Sequence, residues 1–336
     1  MAVPKVSIIT TTYNRCAYLK TAIQSVLRQT SPEWEQIVVD DGSSDETQDM
    51  MTKLADPRIH YLRLKHRGIG GLGYSLNRGL AEARSPMVAL LEDDDYWPRH
   101  RLSLQVPAMK DVVLSYGKIR YIDSASKAIG SVDLGLSWPR NKDILTNNPT
   151  GTVLRRLAYN YFIPGASVMT KKQALEEIGG FVQPEGLNAI DFATTLALSL
   201  KGRFRYLTSV LAYVRRHYAS VTLVNPLRRN KIDATHAYVR HFLVGEARKG
   251  NLRKELWYLT DPSSSSSDMA MALEELAIAR RLLLRRQLVE SRQRLIPLLH
   301  SSYWEVRGAA ALGILASGLG MNMEIAVQAY GMAPLT

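Results

Sequence analysis

The sequence predicts an α/β protein, in which a sheet is flanked by helices and followed by a helical C-terminal extension. Two observations predict the sheet. Apolar runs of strand length alternate with helical patterns over the first hundred residues, and polar clusters follow the strand runs. A third observation predicts the extension, because the pattern from about residue 226 onward is helical and rich in arginine.

The first hundred residues contain strand and helix patterns in strict alternation. The predicted strands are 6–11, 36–40, 58–64 and 87–91. The predicted helices are one with apolar residues at helical spacing over 19–27, one that follows and is capped by Asp45, and one over 70–83. This alternation favours β-α-β units with right-handed crossovers and a parallel sheet in this part of the chain.

The middle of the chain is mixed. The predicted strands there are 112–116, 118–122 and 204–207, and the predicted helices are 172–178 and 192–200. The serine run at 263–267 predicts a loop or linker. We therefore divide the chain into three segments, 1–100, 101–225 and a helical extension over 226–336.

Composition excludes several classes of protein. The 336 residues include 43 Lys and Arg against 31 Asp and Glu, a net charge of +12, and Cys16 is the single cysteine. One cysteine excludes a disulfide framework within the chain and cysteine-based zinc or iron–sulfur sites. We expect neither a signal peptide nor a membrane span, because no apolar run approaches ~18–20 residues. These features predict a cytoplasmic protein that binds nucleic acid, a membrane surface or an anionic small molecule.

Four adjacent carboxylates, Glu92 to Asp95, end the fourth predicted strand. Each close pair of like charges repels by ~1 kcal/mol even in water, so the cluster is costly unless a cation is bound. Mg²⁺ and Mn²⁺ prefer carboxylate oxygens as ligands. The cluster therefore predicts a divalent metal site, and a solvated acidic loop is the alternative.

Two more polar clusters, 11–15 and Asp40–Asp41, also follow predicted strands. Tyr13 can stack on a planar ring, and the neighbouring hydroxyl and carboxylate groups can bond a base or a ribose. The alternative is that both clusters are turns and helix caps. Ligands bind outside the carboxyl ends of parallel strands, so the three polar clusters together predict one binding crevice.

Three further features each have two interpretations. Gly68–Gly73 matches Gly-x-Gly-x-x-Gly, but it follows the third strand rather than the first, which favours a helix entry over a dinucleotide site. Asp191 lies between apolar neighbours and is a candidate general base or a helix cap. Arg215, Arg216 and His217 are candidate phosphate or metal contacts, or a solvated basic turn.

The order of these motifs resembles that of the family 2 glycosyltransferases with the GT-A fold. The residues that carry the resemblance are 6–15, 22–30, 37–45, 77–81, 91–95, 179–181, 216–217 and 220–222. The resemblance covers roughly residues 4–225 and implies that 1–100 is a nucleotide-sugar-binding half and 101–225 an acceptor-binding and catalytic half. It implies a Rossmann-like mixed sheet flanked by helices, a nucleotide-sugar donor that is usually a UDP-sugar, and a Mn²⁺ or Mg²⁺ ion on the donor diphosphate.

The resemblance also implies roles for particular residues. The implied donor-binding residues are Thr11, Thr12, Tyr13, Asn14, Arg15, Asp40, Asp41, Arg78 and Asp93. The implied metal ligands are Asp94, Asp95 and His217, and the implied catalytic base is Asp191. The sequence departs from the family pattern at Ile190, where the family often has Glu, and at Pro98, which leaves the register within Asp93–Asp95 open by one.

These implications predict an inverting, metal-dependent, hexosyltransferase-type enzyme that moves a sugar from a UDP-sugar to an acceptor hydroxyl. The acceptor is a glycan, a lipid-linked sugar, a peptide or a small molecule. The arginine-rich C-terminal helices are expected to dock on a membrane, an acceptor or another subunit. The alternatives are a nucleotide-dependent oxidoreductase that uses Gly68–Gly73 and a basic nucleic-acid-binding protein. The acidic crevice argues against nucleic acid as a partner.

Overall fold

Parallel strands form one side of the sheet in the computed structural model. They are β1 (Val6–Thr12), β2 (Trp34–Asp40), β3 (Ile59–Arg63) and β4 (Met87–Leu90). β1 pairs in parallel with both β2 and β4, and β2 pairs in parallel with β3. Every residue of β2 is buried, as expected for an internal strand of a parallel sheet.

The structure describes most of the chain. The described residues are 4–131, 142–158, 161–185, 187, 189–216, 229–261, 275–276, 279, 282, 287–301 and 304–319. Three predicted features lie outside the described residues: His217, the serine run at 263–267, and the four arginines Arg280, Arg281, Arg285 and Arg286.

Three helices connect the parallel strands: α1 (Cys16–Leu27), α2 (Thr47–Lys53) and α3 (Leu72–Glu82). Val38 of β2 packs in one apolar cluster with residues of α1 and α2, whereas its neighbour Val39 faces Gly79 of α3. Successive strand residues point to opposite faces of a sheet, so these helices cover both faces. The Asp45 carboxylate accepts from Thr47 N at 3.1 Å and from Cys16 N at 3.0 Å, so it lies at the start of two helices.

The rest of the sheet is mixed. The strands are β5 (Leu114–Ile122), β6 (Ala128–Ser131), β7 (Met169–Lys171) and β8 (Phe204–Arg215). The sheet order is β3-β2-β1-β4-β7-β5-β6, and β8 pairs with β5. The short strand β7 runs antiparallel to both β4 and β5, and it joins the two sides of the sheet. The predicted α/β fold with a sheet flanked by helices is confirmed.

Two predicted strand boundaries are wrong. The two strands predicted over 112–116 and 118–122 are one strand, β5, which begins at Leu114 and continues through Gly117 with a register shift against β8. A Cβ atom at Gly117 would lie 2.7 Å from Leu211 Cδ1, so a glycine lets the two strands approach there. The short strand predicted over 204–207 extends to Arg215, because pairing with β5 carries it through its polar positions.

The remaining helices of this part of the chain are short. They are α4 (Arg101–Ala108), α5 (Lys142–Thr146), α6 (Leu154–Leu157), α7 (Lys172–Glu177) and α8 (Ile190–Leu198), with a 3-10 turn at Gly165–Ser167. α7 ends at Glu177, close to the predicted end at 178, and two glycines follow. Gly179 and Gly180 have φ values of 86° and 93°, which side chains disfavour.

The chain forms two compact units. The first contains Met1–Ile129, Leu145–Val153 and Ile163–Asn225, and the second contains Gly130–Ile144, Leu154–Phe162 and Pro226–Thr336. Among the described residues after 226, the helices are α9 (Arg229–Arg248), a 3-10 helix (Lys254–Thr260), α10 (Leu288–Leu298) and α11 (Trp304–Leu319). Arg292 of α10 donates to Ser317 Oγ of α11 at 2.7 Å. Within the described residues, no helix has both the length and the apolar character needed to cross a membrane.

Candidate active site

The acidic loop Glu92–Asp95 follows β4 and lies against the end of β1. Leu91 N donates to Ile9 O at 3.0 Å, which continues the β1–β4 pairing into the loop. Thr12 Oγ1 then donates to Asp93 Oδ2 at 2.8 Å. Arg15 Nη1 lies 3.1 Å from both Asp93 Oδ1 and Asp94 Oδ2. The structure therefore brings together the predicted donor-binding residues Thr12, Arg15 and Asp93.

Three carboxylates of this loop, Glu92, Asp94 and Asp95, each offer an oxygen within 4.8 Å of the others. Asp95 is almost fully buried, and its Oδ2 has no hydrogen-bond partner among the described residues. Burial and repulsion from Glu92 raise the pKa of Asp95 well above its ordinary value. Carboxylates held this close, with a buried oxygen unsatisfied, fit the oxygen ligands of a divalent cation. The metal group that the geometry supports thus includes Glu92, which was not a predicted ligand.

Asp93 is held differently from the three carboxylates of the metal group. Burial and repulsion from Asp94 raise the pKa of Asp93 to about 6, even though Arg15 and Thr12 oppose the shift. Burial, with repulsion from Asp94 and Asp191, raises the pKa of Glu92 to about 8, although part of its side chain reaches the surface. Both shifts show that Arg15 offsets only part of the negative charge gathered here.

Arg215 fixes the acidic loop from the other side. Its backbone N donates to Asp95 Oδ1 at 2.9 Å, and its side-chain Nε donates to Asp94 O at 2.9 Å. Its Nη1 donates to the carbonyls of Asp123 and Ser124 at the end of β5. Arg215 is buried, so the alternative of a solvated basic turn is wrong for this residue.

The loop after β2 contains two acids with different surroundings. Asp40 is fully buried, and its oxygens accept from Ser43 N at 2.8 Å and from Tyr61 Oη at 2.5 Å. Both oxygens are occupied, so Asp40 holds the turn behind the crevice rather than facing a ligand. Asp41 Oδ2 accepts from Gly68 N at 2.9 Å, and His66 Nδ1 lies 2.9 Å from the same oxygen.

An aromatic pair lies above Asp41. The rings of Tyr13 and His66 stack with centroids 3.9 Å apart, and 42% of Tyr13 is exposed. Asn14, beside Tyr13, has a positive φ of 51° and accepts from Ser44 N at 2.7 Å through its Oδ1. The strand ends of β1 and β2 are therefore joined by side chains, and the exposed part of the Tyr13 side chain is available to a planar ligand.

The other predicted donor-binding residues lie farther from these contacts. Thr11 is half-buried one residue before the end of β1. Arg78 lies on α3, and its ion pair within the described residues is a long one to Glu82, at 4.0 Å. His217, the predicted third metal ligand, lies outside the described residues.

Asp191 lies in the first turn of α8 and is exposed. The N-cap position is taken by Ala189, so the helix-cap alternative for Asp191 is wrong. Its carboxylate lies against Gly165, where an added Cβ would come within 2.6 Å of Asp191 Oδ2. Because Asp191 contributes to the raised pKa of Glu92, it lies within electrostatic reach of the acidic loop.

The glycine-rich segment Gly68–Gly73 does not present a free phosphate cradle. Its first residues form a 3-10 turn, and α3 begins at Leu72. Gly73 N donates to Gln183 Oε1 at 2.7 Å, and Gly68 N donates to Asp41 as described above. These backbone donors are engaged within the protein, as expected for a helix entry.

A known family matches the part of the chain that builds this site. The family described as Glycosyl transferase family 2 matches residues 7–179, about half of the chain. The chain belongs to glycosyl transferase family 2. This membership confirms the predicted resemblance.

Similar proteins extend the comparison beyond the family match. The Escherichia coli UDP-Glc:alpha-D-GlcNAc-diphosphoundecaprenol beta-1,3-glucosyltransferase WfgD is 34% identical over 124 residues, which cover 36% of this chain and 48% of WfgD. Two solved structures share the fold of this glycosyltransferase. S. aureus TarS 1-349 in complex with UDP-GlcNAc has a TM-score of 0.53 and 19% identity, with 94% of this chain and 92% of that one covered. The mannosyltransferase PcManGT from Pyrobaculum calidifontis, in complex with GDP-Man and Mn²⁺, has a TM-score of 0.53 and 16% identity, with 98% and 86% covered. These likenesses confirm the predicted GT-A fold.

Proposed function

We propose that this glycosyltransferase moves a sugar from a UDP-sugar to an acceptor hydroxyl, with inversion at the anomeric carbon. The observation that carries the proposal is the crevice at the carboxyl ends of β1, β2 and β4. It combines an exposed aromatic ring, a group of three carboxylates, and Asp191 within electrostatic reach of that group. The nucleobase of the donor can stack on the aromatic ring, and a cation on the diphosphate needs carboxylate ligands. The acceptor hydroxyl needs a general base, which Asp191 can provide.

The nucleobase of the donor is proposed to stack on Tyr13. The exposed Tyr13 ring is backed by His66, and the Asp41 carboxylate anchors the backbone of residues 67–68 beside it. Uridine is supported by TarS 1-349, whose complex contains UDP-GlcNAc, and by WfgD, whose name specifies UDP-Glc. The PcManGT complex contains GDP-Man, so guanosine is the competitor to test.

The proposed metal group is Glu92, Asp94 and Asp95, with His217 as a further candidate. The fit rests on three oxygens within 4.8 Å and on the unsatisfied Asp95 Oδ2 among the described residues. A bound Mn²⁺ or Mg²⁺ would supply positive charge to offset the diphosphate. The PcManGT complex with Mn²⁺ supports this choice of ion.

Asp191 is proposed as the general base. Its exposed carboxylate can accept the proton of the acceptor hydroxyl as that oxygen bonds to the anomeric carbon. The bond from the anomeric carbon to the diphosphate oxygen breaks on the opposite face, so a single displacement inverts the centre. The diphosphate leaves with the electron pair of the broken bond.

Replacing the base tests this role directly. Asp191→Asn keeps the size of the side chain but cannot accept the proton, so we expect transfer to fall by about 100-fold or more while the Kd for UDP with Mn²⁺ stays within about twofold. Transfer is measured by UDP release with acceptor, and binding by calorimetry. Glu82→Gln, an exposed carboxylate on α3, is the control. Full activity of Asp191→Asn would show that another group removes the proton.

A donor panel tests the nucleotide and the metal together. We expect hydrolysis of UDP-sugars in preference to GDP- and dTDP-sugars with Mn²⁺, because the donor is identified by its base. EDTA should stop the reaction and added Mn²⁺ should restore it. Turnover that persists in EDTA would eliminate the metal from the mechanism, and preference for GDP-sugars would replace the proposed donor.

The acceptor is proposed to be a lipid-linked sugar at an anionic membrane surface. WfgD is named for an acceptor on diphosphoundecaprenol, and residues 226–336 contain 15 Lys and Arg against 10 Asp and Glu. Basic segments near an anionic surface contribute about 1 kcal/mol per Lys or Arg. Transfer from the preferred donor to a diphosphopolyprenol-linked sugar, compared with a free sugar and a peptide, decides between the acceptor classes.

A further inference from the structure

Two polar side chains of α4 are completely buried. Arg101 and Gln105 are four residues apart, on one face of the helix, and both have an exposed fraction of 0%. A buried guanidinium is costly unless its donors are satisfied, so the partners of Arg101 report what it does.

These two side chains bind three successive carbonyls of one short turn. Arg101 Nη1 donates to Ala166 O at 2.7 Å and Nη2 donates to Val168 O at 3.1 Å. Gln105 Nε2 donates to Ser167 O, between them, at 2.8 Å. The turn is the 3-10 segment Gly165–Ser167 and the residue that follows it.

The position of the Arg101 guanidinium is itself fixed. Its Nε donates to Gln105 Oε1 at 3.1 Å, and its Cζ lies 3.7 Å from the centroid of the Trp97 ring. Nη1 also donates to Leu211 O of β8 at 3.3 Å. Stacking and a planar fork of donors give arginine a geometry that a lysine ammonium cannot reproduce.

The same turn supports the proposed base. Gly165 begins it, and the Asp191 carboxylate lies so close that an added Cβ would meet Oδ2 at 2.6 Å. Within the turn, Ser167 Oγ donates to Pro164 O at 2.8 Å and accepts from Gly117 N at 3.2 Å. A shift of the turn therefore changes the surface on which the Asp191 carboxylate rests.

We propose that Arg101 is a positioning residue, which holds the Gly165–Ser167 turn and so sets the direction of the Asp191 carboxylate toward the acceptor hydroxyl. This inference rests on the proposed role of Asp191 as general base. Arg101 touches neither donor nor acceptor in this proposal and acts only through the turn.

The test separates kcat from donor binding. Arg101→Lys keeps the positive charge, but an ammonium group cannot donate to both turn carbonyls as the planar guanidinium does. We therefore expect kcat to fall about 10- to 100-fold while the donor KM stays within about twofold. Gln105→Met removes the bonds to Ser167 O and Ser115 O and the acceptor of Arg101 Nε, but it keeps the arginine and its two Nη donors, so kcat should fall in the same direction. It gives the answer if Arg101→Lys fails to fold. The matched control is Arg58→Lys, at an arginine that stacks on Trp34 and pairs with Asp56 in the same unit.

The same substitution made in the Asp191→Asn variant distinguishes this inference from the proposed function. If Arg101 acts through Asp191, Arg101→Lys adds no further loss to the residual rate of Asp191→Asn. An equal loss in both backgrounds, or an unchanged kcat in folded Arg101→Lys and Gln105→Met, would overturn the role of Arg101 and leave Asp191 as the base. Full activity of Asp191→Asn alone would instead overturn the proposed role of Asp191 as the general base.

Discussion

Gly165 lies so close to Asp191, the proposed base, that any side chain larger than a hydrogen atom would clash with it. No side chain fits there, because a Cβ would lie 2.6 Å from Asp191 Oδ2 and 2.8 Å from Asp191 Cβ. Gly165 is not in a left-handed conformation, so the requirement is for space rather than for backbone freedom. The glycine is thus part of the site, although it has no functional group.

Gly165→Ala should therefore turn the Asp191 carboxylate away from its present position. We expect kcat to fall about 10- to 100-fold with little change in the Kd for UDP, because small misplacements of a catalytic group are costly. Steady-state kinetics with calorimetry of UDP binding checks this. Gly245→Ala on α9, where an added Cβ meets nothing within 4 Å, is the control and should retain full activity. An unchanged kcat in Gly165→Ala would mean that the contact is not catalytic.

Glu92 provides a second prediction for a single residue. It completes the group of three carboxylates, so Glu92→Gln should weaken Mn²⁺ binding by about tenfold. Paramagnetic resonance of free Mn²⁺ measures the affinity without turnover. Glu82→Gln should bind Mn²⁺ as the wild type does. Equal affinity in Glu92→Gln would reduce the proposed metal group to Asp94, Asp95 and any further ligand.

Residues of the site were predictable when their chemistry is local in the sequence. The acids after β4 and the cluster 11–15 follow strand ends, so their convergence could be predicted from strand order alone. The roles of Arg101, Gly165 and Arg215 could not be, because their partners lie 26 to 121 residues away. A buried arginine in a short amphipathic pattern has no local mark that distinguishes it from a surface one.

At the scale of elements, a buried carboxylate joins β1, β2 and the segment after α3. Glu35 of β2 accepts from Ser7 Oγ at 2.6 Å and from Arg84 N at 2.8 Å, and it forms an ion pair with the Arg84 guanidinium. Burial alone would raise the pKa of Glu35, but the hydrogen bonds from Ser7 and Arg84 outweigh it and hold the pKa below its ordinary value. Glu35 therefore stabilises the fold as a carboxylate.

The sign of this shift gives a pH dependence. The pKa of Glu35 is lower in the folded protein than in the unfolded chain, where it is about 4.3, so the ionised carboxylate stabilises the fold above that pH. This stabilisation is lost as the pH falls through the pKa of the folded state. We expect Glu35→Gln to lower the free energy of unfolding by about 3 kcal/mol at pH 7. The difference in the free energy of unfolding between the wild type and Glu35→Gln should become smaller below about pH 4. Urea titrations at several pH values measure it, and a gap that is constant with pH would contradict the assignment.

The strands that could be predicted from the sequence are those that contain an uninterrupted run of apolar residues. β1, β2 and β4 are runs of buried aliphatic residues and were found close to their bounds. β7 was missed because it has three residues, one of them a lysine, and is a strand only through pairing with β4 and β5. Partner strands, rather than local propensity, likewise determine the length of β8.

At the scale of the whole molecule, the net charge is opposite in sign to that of the proposed metal group. That group consists of carboxylates, whereas the chain has twelve surplus positive charges, seven in residues 1–225 and five in 226–336. The surplus is therefore denser in the final third of the chain, but it is not confined there. Overall charge predicts association with anionic surfaces rather than the chemistry of the site.

The proposed membrane docking gives a prediction at this scale. Replacing Arg280, Arg281, Arg285 and Arg286 with Gln should reduce co-sedimentation with vesicles of anionic lipid, and salt should have the same effect on the wild type. Donor hydrolysis should be unchanged, since these residues lie outside the matched family segment. Vesicles of neutral lipid are the control. Equal binding of both proteins to anionic vesicles would remove these arginines from the proposed docking surface.

The central position of β7 also has a consequence for synthesis on the ribosome. β4 ends at Leu90, but the strand that covers its second edge begins at Met169, almost eighty residues later. Until that segment emerges, the growing chain carries a sheet with an unpaired, apolar edge, which is a template for association with other chains. Fragments that stop before residue 169 should aggregate, and those that extend through β8 should stay dispersed in light scattering. The nascent chain can therefore cover the open edge of β4 only after the three residues of β7 have been synthesised.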